Sequence, residues 1–433
     1  MAYQESFGAN ETYDYIICGG GTSGCVIAAR LADNSTASIL IVEAGASNDT
    51  YPTTAIPAAV SQILGTEADW NIKSEPCKEL EKRRLHLARG NKDFLVEAAV
   101  VMGHWLFVGI DKITIIGVLK NGVEMRCLNT CQSTGESAHG CGHAVQTVSQ
   151  GTRTMSTDYI TSSTKDSGIS ISTNTYIDRI SLETDTAGAP RANGVFLQDI
   201  TGQKSFVKAR KEVIISAGTY GSPAILLRSG IGSKQEVEKL GIQSQVDLSG
   251  VGKNLMDHLV VLSFYEVSKP ALTNDHLIWH PGGKDKSLAQ YKTDKTGFFS
   301  QFPFGTFAYA RLDTRLSDSP LWNSAPRTKG VDPMGLSPTQ PHVEFWNTES
   351  YSPKYMFRDF PPDGKYAFAM ATEFFAPRSR VEVSLKSSNP TENPIVNHRY
   401  LEDPLDMLVF SEGCRMVNEI ATRGIGTKDI VIE

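Results

Sequence analysis

A glycine-rich turn near the start of the chain narrows the possible folds most. Tyr13–Cys18 is a short apolar run rich in isoleucine, which is typical of a buried parallel strand. Gly19, Gly21 and Gly24 follow it as GxGxxG, and Cys25–Leu31 then has the pattern of a helix. Such glycines permit a tight turn, close approach to a pyrophosphate and close packing of helix on strand. The segment therefore predicts a dinucleotide-binding unit, with a purely structural turn as the alternative.

A second strand and an acidic residue strengthen this prediction. Ser38–Val42 is apolar and leads directly into Glu43. The distance along the chain from Gly24 to Glu43 is close to that of the acid that binds a ribose hydroxyl in such units. The free N–H groups of the intervening helix would face the phosphates. The motif alone does not decide between NAD and FAD.

Length and composition exclude several classes of protein. At roughly 100–200 residues per domain, 433 residues predict two or three domains. The formal net charge of −6 argues against a nucleic-acid binder, which usually carries a basic surplus. Seven cysteines are few and odd in number, so a secreted disulfide scaffold is not expected. The N-terminus has neither the basic nor the apolar region of a secretory signal, which favours a cytoplasmic location.

Several longer segments resemble one enzyme family. YDYIICGGGTSGCVIAARLADN…ILIVEAG resembles the start of a glucose–methanol–choline (GMC) oxidoreductase, an FAD-dependent family, in its fungal aryl-alcohol-oxidase and choline-dehydrogenase-like branch. Gly218–Gly232 (GTYGSPAILLRSGIG) is similar to the second fingerprint of this family. Val251–His258 (VGKNLMDH) is similar to the segment that follows that fingerprint. Asp69–Pro76 and Leu85–Gly90 also fit the family's sequence. The resemblance therefore favours FAD over NAD.

The resemblance also implies which residues contact FAD. The Thr22–Ser23 turn would lie at the pyrophosphate and Glu43–Ala44 at the adenosine ribose. Arg89–Gly90 would approach the flavin, and Ile177 would lie beside the adenine. The full implied set is Gly19, Gly21, Thr22, Ser23, Gly24, Glu43, Ala44, Trp70, Arg89, Gly90 and Ile177.

The segment from Val96 to about Cys131 does not fit the family, which has a flavin-holding GGSSxxN loop here. A transmembrane helix at Val100–Val118 is disfavoured by Asp111–Lys112, because each charge costs about 2.5–3.5 kcal/mol at mid-bilayer. A zinc site is disfavoured because the spacing of the candidate ligands fits no CxxC pairing. Those candidates are Cys127, Cys131, His139, Cys141 and His143.

The genetic code offers a third explanation of this segment. When Leu95–Gly103 is back-translated and the frame is shifted by one base, the codons permit GGSSGCNG, the missing family motif. The same shift permits QDYDNWGV at Lys112–Leu119, another family segment. We therefore predict that residues 96–131 are a frame-shifted translation and that the chain holds no metal.

The histidines give no clear catalytic base. The resemblance implies a catalytic histidine in an HPxG[ST] motif after the substrate domain, and the chain reaches Glu433 without one. We therefore expect a truncated chain in which no residue takes the catalytic role. His280–Gly283 reads HPGG but continues as KDK, which favours a loop of the substrate domain. His258 is expected to be structural or to lie on the cofactor side.

The predicted fold class is α/β (α+β overall), with a Rossmann-like FAD-binding domain and a second domain that contains an antiparallel substrate-binding sheet. The expected divisions are 10–95 and 132–258 for the FAD-binding domain, 96–131 for the aberrant segment, 259–400 for the substrate domain, and 401–433 for the start of a return to the FAD-binding domain. Strands of the substrate sheet are expected at Phe304–Leu312, His342–Trp346, Lys365–Phe375 and Arg380–Leu385.

The resemblance implies FAD-dependent oxidation of a small-molecule alcohol to an aldehyde or ketone by hydride transfer. A role in fungal secondary metabolism, with no nucleic-acid or membrane partner, is the associated expectation. One alternative is a non-catalytic, truncated remnant that lacks the flavin loop and the catalytic histidine. A third is an NAD-linked Rossmann dehydrogenase, which the second fingerprint disfavours.

Overall fold

The computed structural model describes residues 2–3, 11–47, 50–59, 63–87, 139–143, 146–160, 168–302, 304–351 and 364–432. The strands of these residues are β1 Ala2–Tyr3, β2 Thr12–Cys18, β3 Ile39–Val42, β4 Ile72–Lys73, β5 His86–Leu87, β6 Gly140–His143, β7 Val148–Ser149, β8 Thr152–Arg153, β9 Ile169–Ser172, β10 Thr175–Thr184, β11 Pro190–Asp199, β12 Lys204–Ile215, β13 Ile231–Gly232, β14 Val246–Asp247, β15 Leu259–Val267, β16 Phe304–Ala310, β17 Val343–Thr348, β18 Tyr366–Phe374, β19 Glu382–Ser384, β20 Ile395–Asn397 and β21 Val431–Ile432. The α-helices are α1 Thr22–Asp33, α2 Gly218–Arg228, α3 Lys234–Glu238, α4 Asp275–Ile278, α5 Gly283–Asp294, α6 Asp313–Leu316, α7 Pro320–Ser324 and α8 Pro404–Arg423.

The first large sheet has the strand order β1-β9-β3-β2-β12-β11-β10. The strands from β1 to β12 in that order are parallel, and β12, β11 and β10 continue as an antiparallel meander. A parallel sheet is stable when both of its faces are covered. The predicted strands at 13–18 and 38–42 are both in this sheet, one beside the other.

Alternate residues of β2 and β3 enter two different hydrophobic cores. Ile17 and Ile41 pack with Cys25 and Ala28 of α1 on one face. The neighbouring residues of the same strands pack on the other face with Ile225 of α2 and with residues of β10 and β11. Because a strand side chain points to alternate faces, a run without polar residues is needed for this double burial. This accounts for the continuous apolar pattern of both strands.

The second large sheet is antiparallel and has the order β21-β15-β18-β17-β16-β6. One face packs against α8, which contributes Val409, Phe410 and Val417 to a shared core. At Gly413 an added Cβ would lie 3.0 Å from side-chain atoms of Val343 and Thr372, so the helix backbone approaches the sheet closely there. Three of the four predicted substrate-domain strands are confirmed as β16, β17 and β18. The fourth forms β19, which pairs with β20 outside this sheet.

The second sheet includes elements from outside the range 259–400. The strand β6 lies in the range 132–258 but pairs with β16 of the second sheet. The helix α8 and the strand β21 lie in the range 401–433, and they pack on β18 and pair with β15 of that same sheet. The packing of α8 follows from its apolar stripe, which is buried against the sheet.

Candidate functional site

The carboxyl ends of three parallel strands bring the two glycine motifs and the acid together. The amide of Gly19 donates a hydrogen bond of 2.8 Å to the carbonyl of Val42, beside Glu43. On the other side, the amide of Ser216 donates one of 2.8 Å to the carbonyl of Cys18. The segments 19–24, 43–45 and 216–221 therefore lie at one edge of the sheet, where ligands of open α/β sheets bind.

Each glycine of the first motif has a different environment. Gly19 has φ +109°, and an added Cβ would lie 2.5 Å from the carbonyl oxygen of Ser216. A Cβ on Gly24 would lie 2.0 Å from the carbonyl oxygen of Gly19, so α1 can approach the turn only without a side chain there. A Cβ on Gly21 would meet no atom within 4 Å. Gly19 and Gly24 are thus required for packing, whereas Gly21 borders open space in which a ligand can approach the backbone.

Two helices start at this edge without a side-chain cap. The N-cap of α1 is Gly21 and that of α2 is Ala217, and neither side chain accepts a hydrogen bond from its helix. Thr22 is half-buried and Ser23 is exposed in the first turn of α1. Uncapped N–H groups and the positive end of the helix dipole form a ready site for an anion. The arrangement fits the pyrophosphate of a dinucleotide.

The Glu43 carboxyl group lies beside this turn. Its Oε2 accepts a hydrogen bond of 2.8 Å from the amide of Gly20, and its Oε1 accepts one of 2.8 Å from the amide of Gly45. Burial raises the pKa of Glu43, while hydrogen bonds from the amides of Gly45, Gly20 and Ala44 oppose that shift. The backbone therefore fixes the carboxyl group at the end of β3, and Ala44 follows it at the surface of the site.

Trp70 is linked to the region around Glu43 by Tyr176, a residue that the motifs did not indicate. Its ring lies edge-on to the ring of Tyr176, with 6.2 Å between the centroids. Burial and the charge of Glu43 raise the pKa of the Tyr176 phenol, which joins the aromatic pair to the acid electrostatically. The available sequence signal for Tyr176 was its position directly before Ile177, the residue implied to lie beside the adenine.

The remaining implied cofactor residues are placed differently. Ile177 is buried in the core of the first sheet, and its carbonyl oxygen accepts a hydrogen bond of 3.0 Å from Nη2 of Arg228. Arg89 and Gly90 lie outside the described residues, as does the segment 96–131. The contacts of these residues with a cofactor stay predictions.

The HPGG histidine lies in the turn between α4 and α5. Nε2 of His280 is 2.8 Å from the carbonyl oxygen of Lys365, and its ring packs edge-on against Tyr366. These contacts are with the domain that contains the second sheet.

One group of side chains has the composition of a metal site. Ligand atoms of Asp313, Asp332 and His342 all lie within 4.8 Å of one another. Arg311 lies among them, with Nε 2.6 Å from Oδ2 of Asp313 and Nη2 2.5 Å from Oδ2 of Asp332. Nε2 of His342 is 2.7 Å from the same Asp332 oxygen. The guanidinium thus supplies the positive charge that the carboxylates require.

The face of the second sheet opposite α8 has a polar centre that sequence reasoning missed. His258 contacts Glu373 there, and Trp346 donates to the other oxygen of the same carboxylate. The available signal was the single charged residue in the mainly apolar strand YAFAMATEF.

No helix within the described ranges has both the length and the apolar character needed to cross a bilayer.

Comparisons with known proteins agree with the sequence resemblance. A family model described as GMC oxidoreductase matches residues 108–260, a range that begins inside the segment predicted to be frame-shifted. Pyranose dehydrogenase 2 of Leucoagaricus meleagris is 26% identical over 486 residues, with 93% of this chain and 75% of that protein covered. Oxygen-dependent choline dehydrogenase of Vibrio vulnificus is 27% identical over 463 residues, with 94% of this chain and 76% of that protein covered.

The fold has a close counterpart among solved structures. A formate oxidase variant of Aspergillus oryzae RIB40, solved in a study of FAD modification, superposes with a TM-score of 0.87 at 23% identity. The superposition covers 99% of this chain and 84% of that protein. The predicted fold class is thereby confirmed, and FAD is the cofactor of the family that the resemblance indicated. The chain is thus similar over most of its length to the GMC oxidoreductases, FAD-dependent oxidoreductases that act on CH–OH groups.

Proposed function

We propose that this chain binds FAD at the edge of the first sheet and oxidises a small-molecule alcohol to an aldehyde or ketone. The observation that carries the proposal is the convergence of two uncapped helix N-termini and the fixed Glu43 carboxyl group beside Gly21, whose Cα borders open space. Bound FAD supplies the acceptor for a hydride from the carbinol carbon.

The residues of the chain have separate tasks in this proposal. The first N–H groups of α1, at Thr22 and Ser23, bind and orient the pyrophosphate. The Glu43 carboxylate accepts a hydrogen bond from a ribose hydroxyl, as the acid at the end of the second strand does in dinucleotide-binding units. Trp70 and Tyr176 form an aromatic wall on the same side as Glu43.

The names of the relatives support an alcohol or sugar as the substrate class, since they include a pyranose dehydrogenase and a choline dehydrogenase. A role in fungal secondary metabolism is part of the proposal. It rests on the sequence resemblance.

A non-catalytic remnant is the second candidate, and one observation favours it. Met256, Val260 and Val261 are 46%, 40% and 40% exposed at the start of the second sheet. Neighbouring exposed apolar side chains are uncommon on a functional monomer unless they form an interaction site.

A visible absorption spectrum of the purified full chain separates the two candidates. We expect a stoichiometric flavin band that bleaches under anaerobic conditions when an alcohol substrate is added. The variant Glu43→Gln should retain less flavin than the unmodified chain after gel filtration. A purified chain that takes up no flavin on reconstitution would contradict the proposed function and support the remnant.

A further inference from the structure

His258 and Glu373 form a hydrogen-bonded pair on the second sheet that is open to solvent. Nδ1 of His258 lies 2.8 Å from Oε1 of Glu373, and the two side chains are 43% and 21% exposed. Within the described part of the chain, no group hydrogen-bonds Nε2 of His258. Because a carboxylate can only accept, Nδ1 carries the hydrogen and Nε2 of the neutral ring is an acceptor.

The pair is held in position by its neighbours. The indole N–H of Trp346 donates a hydrogen bond of 3.1 Å to Oε2 of Glu373, so both carboxylate oxygens have a donor. The ring of Phe375 packs against the His258 ring at 4.9 Å between centroids. Tyr309 in turn stacks on Phe375 at 5.9 Å. The imidazole is therefore oriented by a carboxylate on one side and by aromatic packing on another, as in histidines that accept protons or hydrogen bonds.

A second carboxyl group, that of Glu344, lies beside the pair on the same face of the sheet. Glu344 is directly opposite Glu373 in the register of β17 and β18, and it is buried. Burial and the charge of Glu373 raise the pKa of Glu344 to about 9, while Tyr309 hydrogen-bonds to it. At neutral pH Glu344 is thus neutral. A buried carboxyl group whose pKa is strongly raised by its surroundings is typical of functional sites.

We propose that this pair binds the hydroxyl group of a small-molecule alcohol, with Nε2 of His258 as the acceptor and Glu373 as a positioning residue. The apolar and aromatic surroundings, Phe375 and Trp346 among them, favour an alcohol whose carbinol carbon carries an aromatic ring. The inference rests on the proposed function for the class of ligand. It gives His258 a role beyond the structural or cofactor-side one expected from the sequence.

The location of the pair supports this role. Asp257, the residue before His258, accepts hydrogen bonds in a buried cluster with His398 and Tyr400, and Tyr220 of α2 lies 3.5 Å from that histidine. The helix α2 starts at the dinucleotide edge of the first sheet. His258 is therefore anchored, through the adjacent residue, to an element of the proposed cofactor site.

The test uses the full chain and benzyl alcohol, with toluene as the ligand that lacks the hydroxyl. Imidazole ¹⁵N spectra report on the ring directly, and the His258 signals are assigned by their loss in His258→Gln. We expect benzyl alcohol to shift the Nε2 signal of His258 and toluene to leave it in place. His258→Gln should weaken benzyl alcohol binding between about twofold and tenfold, the range of one neutral hydrogen bond, and leave toluene binding unchanged. His280→Gln is the matched control and should alter neither.

The positioning role of Glu373 has its own readout. In Glu373→Gln the ¹⁵N shifts of His258 should change from those of one fixed tautomer to those of a mixture, and benzyl alcohol should bind more weakly. Equal benzyl alcohol affinity in the unmodified chain and in His258→Gln would overturn the inference. Binding is measured with and without FAD, so the two proposals fail separately. A chain without a flavin band that still binds through His258 loses only the oxidation, and alcohol-dependent bleaching that is unaltered in His258→Gln overturns only the inference.

Discussion

Alanine substitution of the two glycines at the ends of the GTSG turn should have different effects. Gly24→Ala should lower stability, and Gly21→Ala should weaken ligand binding. A methyl group at Gly24 would lie 2.0 Å from the carbonyl oxygen of Gly19, whereas side-chain carbons are essentially never closer than 3.0 Å to such an atom. The start of α1 must therefore move away from the turn by about 1 Å. At Gly21 the added methyl meets no atom within 4 Å, and φ −68° with ψ −171° is open to any residue.

The size of the first effect follows from the kind of contact. Overpacking in a core costs about 1–3 kcal/mol, and a backbone carbonyl cannot rotate away as a side chain can. We therefore expect Gly24→Ala to lower the free energy of unfolding by about 3 kcal/mol. Gly21→Ala changes only the N-cap residue of α1, which costs less than about 1 kcal/mol. Its effect should instead appear in ligand binding, because its methyl group projects into the space proposed for the pyrophosphate.

Urea denaturation of the cofactor-free variants measures the first effect, and calorimetric titration with ADP measures the second. Gly24→Ala should unfold at a clearly lower urea concentration, and Gly21→Ala should unfold close to the unmodified chain. Gly21→Ala should weaken ADP binding by at least about tenfold. The reasoning is refuted if Gly21→Ala is destabilised as much as Gly24→Ala, or if it binds ADP as tightly as the unmodified chain.

Three further outcomes follow from buried carboxyl groups. The pKa of Glu344 is raised from 4.5 to about 9, so its ionisation lowers the stability of the unmodified chain as pH rises through that interval. Urea midpoints of Glu344→Gln should accordingly exceed those of the unmodified chain by a growing margin up to pH 9, and parallel curves would contradict this. Asp275 is fully buried and accepts from the amides of Tyr351 and Ala367, so Asp275→Ala should cost about 1–3 kcal/mol per orphaned amide. Asp275→Asn, which keeps an acceptor, should cost less in the same denaturation assay. Glu43→Gln should weaken ADP binding about tenfold, and undiminished affinity would exclude the ribose contact.

The dinucleotide edge was predictable because its signals are local. A buried parallel strand requires a continuous apolar run, and the predicted strand at 13–18 matches β2 apart from one residue. Gly24 is required by the packing of α1 against Gly19, a contact between residues five positions apart. Such short-range constraints leave a readable pattern in the sequence.

The polar centre of the second sheet was not predictable in the same way. His258 meets Glu373 only because β15 pairs with β18, and Glu344 faces Glu373 only through the register of β17. Each pairing joins segments far apart in the chain, and strand patterns do not encode the identity of the partner. The pairing of β6 with β16 is a further case, since the GCGH sequence carries no sign of it.

Asp257 and His258 are adjacent in the chain, but their side chains belong to two different hydrogen-bonded clusters. Asp257 accepts from Tyr400 at 2.6 Å, close to α2, while His258 holds the carboxylate of the second sheet. The peptide unit between them therefore connects the second sheet to the polar cluster beside α2. A double-mutant cycle of Tyr220 and Glu373 measures this connection: a coupling energy above about 0.3–0.5 kcal/mol, the range typical of independent sites, would show it.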